Sequence, residues 1–106
     1  MDESRRAEQL VTTSSAARRI ADLVAAAPAP LRYEVMRHLL RVSEETMTEA
    51  LEEAVHMRLV RRADDPFTYV PYDDALRDEI LAGWPADRLE RLRRQIAGAS
   101  DRVLGG

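Results

Sequence analysis

SEETMTEALEEAVHMRLVRR, residues 43–62, decides how this chain is read. Ser43 can cap a helix by accepting a hydrogen bond from a first-turn amide. Glu44 and Glu45 then lie near the positive end of the helix dipole. Met47, Leu51, Ala54 and Val55 recur at helical spacing and supply an apolar face, while the glutamates mostly face outward. From Leu59 the pattern turns strand-like. The helix carries Glu44, Glu45, Glu49, Glu52 and Glu53, with no Arg or Lys before Arg58. Such a surface repels phosphate.

Upstream, Ser14 and Ser15 can cap a first helix that buries Ala17, Ile20, Leu23 and Val24. APAP at 27–30 ends it, and Pro30 can open a second helix with Leu31, Val35, Leu39 and Leu40 as its buried stripe. Downstream, RLVRRADDPFTYVPY predicts two short strands around a turn at Asp64-Asp65-Pro66. Phe67 and Tyr69 share one face of the second strand. Asp73 or Asp74 caps a fourth helix through Leu76 and Ile80, and Gly83 stops it. A fifth helix turns Leu89, Leu92 and Ile96 inward and weakens at Gly98. The expected fold is mainly α with a small β-hairpin, in the order of a winged helix-turn-helix with an added C-terminal helix pair. Residues 1–13 are expected to be a flexible N-terminal segment, 14–98 the domain and 99–106 a flexible C-terminal end.

The 106 residues suffice for one domain with one core. No apolar run reaches the roughly 20 residues of a membrane span, and MDESRR lacks the apolar stretch of a signal peptide. With no cysteine there is no disulfide or thiolate chemistry, which agrees with an expected cytoplasmic location. The net charge of -3 gives no general pull towards nucleic acid. All 16 basic residues are Arg. Without lysine the chain can form neither a Walker-type phosphate loop nor a lysine Schiff base.

Few groups invite chemistry. His38 and His56 sit on different helices and read as exposed helix histidines, with no Cys to join them in a metal site. Asp64-Asp65 and Asp73-Asp74 read as turn and cap residues, and Asp78-Glu79 as a solvated face. Met36, Met47 and Met57 fill the core. Trp84 anchors the fifth helix. The pairs Arg18-Arg19, Arg61-Arg62 and Arg93-Arg94 look dispersed, although Arg61 and Arg62 lie where a wing could touch phosphate. No catalytic residue, metal ligand or cofactor is expected.

The run from Leu31 to Ala97 resembles the winged-helix module that follows the ATPase domain in bacterial STAND regulators, including large LuxR-type activators. Ser43, Glu44 and Glu45 match the opening of the family's acidic helix, and Ala50-Leu51-Glu52-Glu53 with Leu59-Val60 match its continuation. Phe67 and Tyr69 match an aromatic strand, Leu76, Arg77, Asp78 and Ile80 the next helix, and Pro85 a turn. The chain departs from the pattern at Arg41, where glycine is usual, and at Met57-Arg58, which replaces a small residue and glycine. Asp73 stands where the family has histidine. The resemblance implies a non-enzymatic signalling or transcription-regulation module that contacts a protein partner or neighbouring domains of a larger regulator. Glu45, Glu49, Glu52 and Glu53 would form its contact surface. Sequence-specific DNA binding through the wing and flanking arginines ranks second, beside a small homodimeric adaptor. No membrane contact is expected.

Overall fold

The computed structural model describes residues 15–104, so the expected flexible segment 1–13 and the cap residue Ser14 lie outside the described residues. The first described helix, α1 (Ser15–Ala26), buries Ala17, Ile20, Ala21, Leu23, Val24, Ala25 and Ala26. That is wider than the one stripe that a surface helix buries. Its alanines let neighbours approach closely, and every other described helix packs on it, as does one strand. The C-terminal end of α1 is tied down from a distance, because Arg93 Nε donates to the Ala26 carbonyl at 3.0 Å. A cation at the negative end of a helix is favoured by the dipole as well.

After Pro30 the structure departs from expectation. Leu31 and Arg32 form a short strand, β1 (Leu31–Arg32), instead of opening the second helix. One turn of helix and a two-residue strand cannot be distinguished by periodicity, and here pairing decides. Leu31 lies opposite Tyr69 and Arg32 opposite Thr68, and the Tyr33 amide donates to the Phe67 carbonyl at 2.9 Å. This covers a strand edge that would otherwise be open. Helix α2 (Tyr33–Leu40) follows and buries Val35, Met36 and Leu40.

Helix α3 (Glu44–His56) begins as expected, with the Thr46 amide donating to Ser43 Oγ at 3.1 Å. Its buried residues are Met47, Ala50, Leu51 and Ala54. Val55, read as part of the apolar face, is 42% exposed. The helix ends in a double turn, with Arg58 N–H donating to Val55 O at 3.0 Å and Leu59 N–H to Ala54 O at 2.9 Å. That Schellman pattern places the first of these two donors in the left-handed region, and Arg58 sits there with φ 59°.

Strands β2 (Val60–Arg62) and β3 (Thr68–Pro71) form the expected hairpin, and β1 completes an antiparallel sheet ordered β1-β3-β2. Asp73 caps α4 (Asp74–Ala82) by accepting from the Leu76 amide at 2.7 Å. Trp84 packs half-buried against the core, as expected of an anchor. Helix α5 (Ala86–Leu104) does not weaken at Gly98 but continues to Leu104. Ala99 is buried and Val103 packs on the core, so the inward stripe of Leu89, Leu92 and Ile96 runs on to residue 103 within the segment assigned to a flexible end, of which residues 105–106 lie outside the described residues. Those added contacts outweigh the roughly 1 kcal/mol by which one glycine disfavours a helix.

The register of α3 can be tested by two adjacent substitutions. Leu51 is buried and Glu52 exposed. Leu51→Asp is expected to lower stability by at least about 3 kcal/mol, since it removes a core side chain and buries a charge. Glu52→Lys should change it by no more than about 0.5 kcal/mol. Thermal melts of both variants decide this, and an unchanged melting temperature for Leu51→Asp would mean the register is wrong.

Candidate protein-contact surface

The exposed flank of α3 faces the β2–β3 hairpin across an open groove of about 620 Å³. Two local devices shape its far wall. Asp65 Oδ1 accepts from the Phe67 amide at 2.8 Å and its carbonyl from the Thr68 amide at 3.1 Å, which fixes the hairpin turn. Arg32 Nε then reaches Glu34 at 3.2 Å, and its Nη1 approaches Asp65 at 3.9 Å, linking β1 to the same turn. The hydrogen bond from Arg32 holds the Glu34 carboxyl below its ordinary value. Phe67 is left 58% exposed at the groove wall.

Across from Phe67, α3 contributes Leu51 and Val55, and Tyr33 and Tyr69 line the groove between them. Glu44, Thr48, Glu52 and His56 come from the same helix, and Arg62 from the hairpin. Side chains on successive turns of α3 thus divide among a core face, a groove face and an acidic ridge. Apolar residues with charges at their margin make a surface suited to an amphipathic protein segment.

The four expected contact glutamates are not all placed at the groove. Glu52 lines the groove, Glu45 and Glu49 are exposed on the adjoining ridge, and Glu53 is half-buried on the flank turned from the groove. Arg61 and Arg62 are likewise divided. Arg62 pairs in register with Tyr69 and lines the groove with it, whereas Arg61 pairs with Val70 and, by strand alternation, points to the opposite face. They cannot grip one phosphate together from these positions. Sequence reasoning missed Val55, Phe67 and Tyr33 as contact residues. Phe67 and Tyr69 had been placed on one strand face, but nothing in the pattern says what that face looks at.

A second groove, of about 540 Å³, runs between α2 and α5 and is lined by His38, Arg41, Arg91, Arg94 and Arg102. Of the arginine pairs that look dispersed along the chain only Arg94 lines this groove, where it joins Arg41, Arg91 and Arg102, while Arg93 donates to the α1 carbonyl. Among the described residues no cluster of His, Asp and Glu could hold a metal ion. No described helix is long and apolar enough to cross a membrane. Compared with models of known protein families, with curated proteins and with solved structures, the chain matches none.

One half-buried acid lines neither groove, although its cleft shares Leu39 and Gln95 with the arginine groove. Asp22 of α1 lines a cleft with Trp84 and Leu92, and its Oδ1 lies 3.6 Å from Arg18 Nε, longer than a hydrogen bond. Burial raises its carboxyl above the ordinary value, and the neighbouring Arg18 and Trp84 only partly offset this. A folded-state value above the unfolded one means that stability is fully present below pH 3.8 and falls as pH rises through the raised value. Asp22→Asn should remove that fall, matching the parent at acid pH and exceeding it near neutrality. Chemical denaturation across pH measures this. A variant that loses stability relative to the parent as pH rises would show that the Arg18 pair dominates.

Proposed function

We propose that this chain is a winged helix-turn-helix module, with the β2–β3 hairpin as its wing, that works by protein contact rather than by catalysis or base readout. Its contact site is the groove between α3 and the wing, in a bacterial signalling or transcription regulator of the STAND type. The observation that carries this is the juxtaposition of exposed Val55 and Phe67 beside the Glu45, Glu49 and Glu52 ridge. A helix bearing that ridge is repelled by phosphate at every step of a duplex, whereas an arginine-bearing protein segment complements it.

The family resemblance gains support from backbone geometry. Arg41 and Arg58 are the non-glycine residues of positive φ among the described residues, at 54° and 59°. They occupy the two positions where the STAND module pattern has glycine. A backbone that needs the left-handed conformation at both places is what such a pattern encodes. Asp73, in place of the family's histidine, serves as a helix cap.

Two titrations test the reading. A helical peptide carrying arginine and leucine should shift the amide resonances of residues 44–56 and 66–69, and Phe67→Asp, an exposed change, should weaken it at least about tenfold. Random duplex DNA at about 50 mM salt should bind no tighter than the non-specific range of roughly 10⁻⁴ to 10⁻⁶ M. Nanomolar duplex binding that is lost in Arg62→Ala would reassign the wing to DNA.

A further inference from the structure

The α3 groove has a counterpart of opposite sign on the same chain. Arg41, at the end of α2, joins Arg91, Arg94 and Arg102 of α5 around the second groove. Among the described residues the ion pair on this set is Arg94 with Glu90 at 2.8 Å, with both side chains largely exposed. Arg41 holds its place in the left-handed region, with φ 54°. Glycine would be favoured there by roughly 1 kcal/mol, so a guanidinium at that position is kept against local preference. Strain of this kind at a surface points to a use for the side chain.

The two grooves adjoin. Tyr33 lines the α3 groove and also a shallow depression that it shares with Arg37, His38, Arg41 and Val103. His38 and Arg41 carry that depression on into the arginine groove. One continuous surface therefore passes from acidic to basic with Tyr33 between. Such a surface can satisfy itself: a two-fold axis pairs residue i with j and j with i, closing the assembly at two copies.

We infer that the partner of the α3 groove is a second copy of this chain, related by a two-fold axis near Tyr33. The Glu45, Glu49 and Glu52 ridge of each copy meets Arg91, Arg94 and Arg102 of the other. Val103 lies in the depression beside Tyr33, so the last turn of α5 reaches the axis and brings Leu104, 51% exposed, towards the partner's Val55 and Phe67. The inference rests on the reading of the α3 groove as a protein-contact surface and names its occupant. Charge complementarity sets register and approach, and the apolar residues supply burial.

Sedimentation velocity of the full chain tests it. A dimer is expected at about 100 μM protein and about 50 mM salt, with dissociation as salt approaches about 500 mM, where exposed charges are screened. The double variant Glu49→Arg/Glu52→Arg should be a folded monomer, and so should Arg91→Glu/Arg94→Glu, with circular dichroism unchanged in both. Mixed in equal amounts, the two variants should form a heterodimer, because the reversed pair on each faces the reversed pair of the other and the unchanged margins still face each other. A parent chain that stays monomeric at low salt overturns the inference, as does a mixture that fails to associate. If that monomer still binds the arginine-leucine peptide in the α3 groove, the contact reading stands and only its occupant is wrong. If the monomer instead binds heparin through Arg91 and Arg94, the arginine groove belongs to an external polyanion and the dimer is refuted.

Discussion

The burial of α1 on nearly all sides is the constraint from which the rest of the structure follows. Alanine at positions 17, 21, 25 and 26 keeps the helix narrow, and Ile20, Leu23 and Val24 give it the apolar bulk that other elements pack against. α3 and α5 do not need to meet each other, because each is seated on α1. The bond from Arg93 to Ala26 adds a directional tie between α5 and the end of the central helix. A buried carbonyl left without that donor would carry a desolvation penalty of about 1–3 kcal/mol.

This arrangement separates charge without separating domains. The acidic ridge sits on α3, the arginines on α2 and α5, and the small net charge of -3 conceals both. Net charge describes solubility and long-range steering. Recognition depends on where the charges stand, and here placement on different helices around α1 gives one molecule two complementary margins. The exposed Val55 and Phe67 beside the acidic margin are the apolar area that the proposed contact would bury.

Much of the fold was legible in the sequence where a local signal had a local consequence. Ser43 and Asp73 cap helices as their positions suggested, and Asp65 forms the hairpin turn. Leu31 and Arg32 were misread because two residues cannot express a period, and their strand exists only through pairing with residues 68 and 69. The end of α5 was misread for the opposite reason. Gly98 gave a true local signal, but a Cβ there would meet nothing within 4 Å, so the glycine is tolerated rather than required, and Ala99 and Val103 hold the helix from outside. The candidate site divides in the same way. Its glutamates stand in one short run and could be read directly, whereas Phe67 facing Val55, and Arg41 beside Arg102, are products of tertiary folding.

Native-state hydrogen exchange tests the role of α1 most directly. If every other helix depends on it, the amides of residues 20–26 should exchange only through global unfolding, with the highest opening free energy in the chain. Those of β1 and the last turns of α5 should open locally at lower free energy. Exchange in α1 that is faster than in α3 or α5 would contradict the account, because the central helix would then be a passenger on a core formed by the others.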